Sequence, residues 1–117
     1  MSIPENNLRI DYVEFPVTDI ETTKGFYSNV FGWHFEDYGP DYTSFHDGRI
    51  SGGFYRSLDV AKGGPLIVIY TTDLEAMLDK VTGGGGRIVK STFDFPGGRR
   101  FHFADPSGHE LAVWSNR

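Results

Sequence analysis

The residues with the most chemistry to offer lie near the end of the chain, in RFHFADPSGHELAVW, Arg100 to Trp114. Arg100 carries a forked cation that suits a carboxylate or another anion. The imidazole of His102 can serve as a general base or as a hydrogen-bond donor. Trp114 offers a flat face on which a planar ligand can stack. Far earlier in the chain, Glu14 is a second candidate base, and Tyr12 and Tyr55 add hydroxyls. Each has a plainer alternative. His102 can be a strand histidine satisfied by a neighbour, and Arg100 an exposed residue at a strand start. Glu14 can be salt-bridged to an arginine, and Trp114 can be a core plug or a dimer contact.

Alternation decides which side chains can meet. Asp105-Pro106 and Ser107-Gly108 are turn chemistry, and on either side apolar residues recur at every second position. The pattern predicts a hairpin with Phe101, Phe103, Leu111 and Val113 on one face. Arg100, His102, Glu110, Ala112 and Trp114 are then left on the other. An earlier run, YVEFPV, divides the same way: Val13, Phe15 and Val17 against Tyr12, Glu14 and Pro16. Arg99 reads as a solvated hairpin residue and His109 as a turn residue, while His34 and His46 carry no pattern. Phe26, Phe31, Trp33 and Phe35 read as core.

Composition removes several classes of function. The 117 residues suffice for one domain, and 15 glycines with 6 prolines imply many turns. With no cysteine there are no disulfides, thiolate metal sites or cysteine nucleophiles, and the chain suits a reducing cytoplasm. A net charge of −5 without a basic cluster speaks against nucleic acid. The polar start MSIPENNLRI does not read as a signal peptide, and the longest apolar run, PLIVIY, is too short for a bilayer.

The chain also repeats itself. Thr18-Asp-Ile-Glu21 recurs as Thr72-Asp-Leu-Glu75, each after an apolar run and before a helical pattern. Both read as capping boxes, with the threonine hydroxyl as N-cap. The stripes Ile20, Thr23, Phe26, Tyr27, Val30, Phe31 and Leu74, Met77, Leu78, Val81 each mark one helix face. Gly32 ends the first helix. The run Gly83 to Gly86 ends the second and is a connector rather than a phosphate loop. Three strands are predicted behind each helix: 33–38, 42–46 and 49–56, then 87–92, 99–104 and 110–114. Asp47-Gly48, Phe95 to Gly98 and Asp105 to Gly108 supply the turns. The organisation is a strand, a helix and three strands, twice: module 1 over about 8–57, a linker over 57–64 and module 2 over about 65–116 of one domain, 1–117.

On this repeat, on VTDIETTKGFYSNVFGW and on the turn Asp105-Pro-Ser-Gly-His109, the sequence resembles the vicinal-oxygen-chelate superfamily. That superfamily spans glyoxalase I, bleomycin-resistance proteins, fosfomycin-resistance enzymes and extradiol dioxygenases; the likeness is greatest to small relatives of lactoylglutathione lyase. It implies an α+β fold of two βαβββ modules whose concave mixed sheets enclose a cavity, with one helix per module outside. It implies a homodimer. Its enzymatic branches hold a divalent metal through His and Glu on four strands. Carried over by motif, those positions fall at Tyr12, Ile67, Ala112 and near Ser51 to Gly53. None is an imidazole or carboxylate, so neither metal nor cofactor is expected, and glyoxalase I chemistry is not. Three functions remain. The first is capture of a small organic molecule, anionic and partly planar, with Tyr12, Tyr55, Arg100 and Trp114 as ligand-binding residues. The second is a metal-independent lyase or isomerase, with Glu14 or His102 as base and Arg100 stabilising an oxyanion. The third is a domain that keeps the fold alone.

Overall fold

The computed structural model describes residues 7–61 and 63–117. Residues 1–6, at the polar start, and residue 62, in the linker, lie outside the described residues. The chain divides into two compact units, residues 1–59 and 60–117, each built on one sheet and one helix. The fold is α+β.

The first unit runs β1 (Tyr12–Val17), α1 (Ile20–Phe31), β2 (His34–Asp37), β3 (Tyr42–His46) and β4 (Ser51–Arg56). Its sheet order is β1-β4-β3-β2, with β1 parallel to β4 and the other pairs antiparallel. The second unit repeats this: β5 (Ile67–Tyr70), α2 (Leu74–Gly83), β6 (Arg87–Phe95), β7 (Gly98–Ala104) and β8 (Glu110–Ser115), in the order β5-β8-β7-β6.

Each helix starts at an aspartate. Asp19 Oδ1 accepts from Thr22 N at 2.9 Å, and Asp73 Oδ1 accepts from Ala76 N at 3.1 Å. The expected threonine caps, Thr18 and Thr72, are therefore wrong by one residue. Thr-Asp offers two adjacent capping side chains, and the aspartate oxygen is the one that accepts from the free amide three residues on. Gly32 ends α1 at φ 73°, a left-handed turn that glycine adopts without a Cβ clash.

Helix α1 buries Ile20, Thr23, Phe26, Tyr27 and Val30. The Tyr27 ring stacks on Trp33 and Phe54 at centroid distances of 4.7 and 5.2 Å, and Trp33 stacks on Phe45 at 4.7 Å. Full burial of one such side chain stabilises the fold by roughly 1.5–3 kcal/mol. In the second unit Leu74 and Val81 of α2 are buried, as are Phe101, Phe103, Leu111 and Val113 of the hairpin.

Strand β6 is longer than the predicted 87–92, reaching Phe95. Its pairing with β7 slips twice, between Ile88 and Lys90 and between Lys90 and Phe93. Each slip is a bulge that adds one residue to β6 alone. Arg99 also departs from expectation. It lies on the same side of β7 as Phe101 and reaches Glu75 of α2 at 2.6 Å, so it is an ion-paired residue rather than a solvated one. The Glu75 side chain is 70% exposed, so the pair adds little stability.

Candidate functional site

Short turns fix the face of each candidate residue. Asp105 Oδ1 accepts from Ser107 N and His109 N at 3.0 and 2.9 Å, and Gly108 takes φ 93°. This closed turn sets Phe103 opposite Leu111, Phe101 opposite Val113, His102 opposite Ala112 and Arg100 opposite Trp114. Since partners in register share a face, Arg100, His102, Ala112 and Trp114 lie together on the face of the sheet turned away from α2. Lys90 and Phe93 join them from β6, opposite His102 and Arg100, and Val68 and Tyr70 from β5.

His102 is buried, and Glu110 sits diagonally across the hairpin with Oε2 2.7 Å from His102 Nδ1. A carboxylate oxygen only accepts, so Nδ1 donates. The other ring nitrogen, Nε2, is buried without a partner, and so is Arg100 Nε. The Arg100 guanidinium lies over two phenyl rings, 5.3 Å from the centroid of Phe93 and 5.4 Å from that of Phe95. Trp114 borders the group, 6.0 Å from Phe95 and 5.2 Å from Tyr70. Arg100 and Trp114 are half-buried, so the group has an edge at solvent. Cation–π contact of this kind holds a guanidinium in place without neutralising it. It therefore remains a full positive charge, with aromatic walls, for an anion to meet.

The first unit gathers a different set. Tyr12, Glu14, Tyr42, Ser44, Gly53 and Tyr55 share the face turned away from α1. Tyr42 donates to Glu14 Oε2 at 2.9 Å, and the Tyr12 and Tyr42 hydroxyls are 2.6 Å apart. With the Tyr42 hydrogen committed to Glu14, Tyr12 donates to Tyr42. Ser44 Oγ, 3.3 Å from the Tyr12 hydroxyl, is the alternative acceptor. Burial first, then the bonds with Tyr12 and Glu14, push the Tyr42 phenol well above the usual tyrosine range. Glu14 thus takes a tyrosine hydroxyl rather than the arginine expected as its alternative partner. Tyr55 lies beside Tyr42 in register and takes no part in this chain of bonds. His46 and Ser51 form their own pair at the end of the sheet, Nδ1 to Oγ at 2.9 Å.

The positions carried over for a metal do not suit one. Tyr12 stands opposite Ser51, and Ala112 opposite Val68. Ile67, the position expected on β5, pairs with Leu111 on the helix side, and the interval from Tyr12 to Asp19 counted back from Asp73 falls at Leu66, just before the strand. A phenol, a serine hydroxyl and alkyl groups are no donor set for a divalent metal of the His and Glu type. Among the described residues no three His, Cys, Asp or Glu side chains come together.

Alternation thus locates Tyr12 and Glu14 on one sheet, and Arg100, His102 and Trp114 on the other. It did not single out Tyr42, Phe93, Phe95 or the tie between His102 and Glu110. Tyr42 was available from the alternation of Tyr42, Ser44 and His46. The Glu110 tie was available as the diagonal neighbour that the short turn dictates. Phe93 and Phe95 lay beyond the predicted end of the strand at 92, because Phe95 to Gly98 reads as the turn.

The sequence model of the Glyoxalase/Bleomycin resistance protein/Dioxygenase superfamily matches residues 9–113. CFP32 of Mycobacterium tuberculosis and of Mycobacterium bovis is 28% identical over 115 residues, covering 89% of this chain and 44% of its own length. The chain therefore spans less than half of these relatives. A glyoxalase/bleomycin resistance protein/dioxygenase family enzyme from Burkholderia phytofirmans superposes with a TM-score of 0.82 at 15% identity, covering 92% of this chain and 100% of its own. A glyoxalase-related enzyme from Fulvimarina pelagi superposes with a TM-score of 0.80 at 16% identity, covering 92% and 88%. At these identities the structures speak to the fold alone. Among the described residues no helix is long and apolar enough to cross a membrane.

Proposed function

The chain belongs to the Glyoxalase/Bleomycin resistance protein/Dioxygenase superfamily, and from that premise we propose that it binds a small, partly planar organic anion on the helix-distal face of its second unit. The observation that carries this reading is Arg100: a guanidinium over Phe93 and Phe95, with a buried Nε that bonds to nothing. A carboxylate satisfies that donor, and an attached ring extends the aromatic contacts toward Trp114. Tyr12 and Tyr55 are assigned the weaker role of supplying hydroxyls on the first unit.

A thermal-shift panel of aromatic carboxylates tests it. A compound that binds the folded state raises the melting temperature according to its concentration over Kd. Arg100→Ala should abolish the shift. A shift of unchanged size in that variant makes the ligand apolar and removes the anion from the proposal.

A second reading is favoured by the His102–Glu110 bond, which orients an imidazole as the base of a metal-independent lyase or isomerase, with Arg100 beside a developing oxyanion. Glu14, whose carboxylate accepts from Tyr42, is the weaker candidate base. We place the protein in the cytoplasm, which suits a chain without cysteine, and as a two-fold homodimer, the commonest closed assembly. Light scattering that gives the mass of one chain at micromolar concentration would exclude the dimer.

A further inference from the structure

The two buried nitrogens without partners on β7 differ in kind. Arg100 Nε can only donate. His102 Nε2 is set by the other end of its ring. Glu110 accepts from Nδ1 at 2.7 Å, so Nδ1 holds the hydrogen and the neutral ring presents a lone pair at Nε2. One atom asks for an acceptor and the other for a donor.

Their side chains lie against one aromatic ring. The Phe93 ring lies under the Arg100 guanidinium at 5.3 Å and beside the His102 ring at 5.7 Å. Arg100 and His102 are two residues apart on one strand face, about 7 Å along the sheet. That separation is within the span of one substituted ring.

We infer that the ligand is a hydroxy acid: a planar anion whose acid group accepts from Arg100 and whose hydroxyl or enol hydrogen is donated to His102 Nε2. This rests on the anion-binding reading above and adds the donor to it. Glu110 is then a positioning residue, since it reaches the ligand only through the tautomer it imposes on His102. The opposite state of the ring, an imidazolium, would make both atoms donors and favour a second anionic group. The charged side chains facing the imidazole on this sheet are Glu110 of β8, Lys90 of β6 and Arg100 of β7.

The test measures dissociation constants of the full chain for benzoate, salicylate, meta-hydroxybenzoate, the methyl ethers of the last two, and phthalate. At least one hydroxybenzoate should bind about tenfold or more tightly than benzoate, and its methyl ether should fall back to the benzoate level. The gain should vanish in His102→Phe, while Arg100→Ala should weaken every compound. Nitrogen NMR of the imidazole in the unmutated chain, which needs no variant to fold, should show the Nδ1–H tautomer before and after binding. Equal affinities for benzoate and the hydroxybenzoates, with dependence on Arg100 retained, overturn this inference and leave the anion reading standing. A preference for phthalate, or an Nε2–H tautomer, overturns the donor assignment. Failure of all six compounds to bind removes the anion reading and the hydroxy acid with it.

Discussion

The Tyr42 hydroxyl occupies the space that a Cβ on Gly53 would fill. Opposite Gly53 on the parallel strand stands Glu14, and Tyr42 donates to that carboxylate at 2.9 Å. The bare backbone at Gly53 leaves room for the Tyr42 hydroxyl, which completes the run from Tyr12 to Glu14. Gly53→Ala should therefore displace Tyr42 and cost about 1–3 kcal/mol. Urea denaturation of the single variant and of the same change in a Tyr42→Ala background checks this. The cost should shrink in the second background, and an equal cost in both would place the conflict elsewhere.

Phe103 and Arg100 should separate stability from binding. Phe103 is fully buried on the helix side of β7, and Phe103→Ala should cost about 3–5 kcal/mol through the cavity it leaves. Among the described residues Arg100 makes no ion pair, so Arg100→Ala should cost only about 0.5–2 kcal/mol through its contacts with Phe93 and Phe95, while removing ligand binding. A large loss of stability in the arginine variant would recast Arg100 as a structural residue.

Asp19 gives a pH dependence with a definite sign. Its bond from the Thr22 backbone N–H, ahead of the opposing effect of burial, holds its carboxyl below the usual aspartate range. A carboxyl lowered in the folded state stabilises the fold above its unfolded value of about 3.9, and that contribution is lost as pH falls through the folded value. Asp19→Asn, which keeps a neutral cap, should be the less stable protein near neutrality. The difference should close as the pH falls through the folded value. Denaturation curves for both proteins across that range measure it, and a gap that persists in acid would mean that charge is not its source.

Metal content is the fourth expectation. Tyr12, Ala112 and the stretch Ser51 to Gly53, together with Leu66, leave the positions implied by the family without an imidazole or carboxylate. Elemental analysis of the purified protein should find far less than one first-row metal ion per chain, and a chelator should leave Tm unchanged. A stoichiometric ion with a chelator-sensitive Tm would require ligands from elsewhere.

The parts of the fold legible in the sequence were those governed by a short, closed turn. Asp105 to Gly108 admits one register, so the faces of Arg100, His102 and Trp114 follow from counting alone. Arg99 follows the same parity as Phe101 and could have been assigned to the helix side. What could not be counted was Glu75, which lies 24 residues away on α2. The helix starts were ambiguous because threonine and aspartate stand side by side and either can cap. Phe93 and Phe95 were lost for another reason: the expected strand ends at 92 with Phe95 in the turn, whereas β6 runs to Phe95 and pairs in register with Gly98 to Arg100; only upstream of Phe93 does β6 advance two residues more than β7.

Those two extra residues make chain length, more than residue identity, the constrained quantity between Ile88 and Phe93. Each bulge reverses which side of the sheet the following side chains occupy, and two reversals cancel. Substitution at Val89, Ser91 or Thr92 leaves that parity intact. Deletion of any one residue there would carry Phe93 and Phe95 to the helix side and strip Arg100 of both rings, or would force the turn at Pro96-Gly97 to absorb the change. Deletion of two would restore the faces over a straighter strand. Drift in this segment should accordingly tolerate many exchanges and resist single-residue gaps, so that odd and even length changes have opposite consequences for the same arginine.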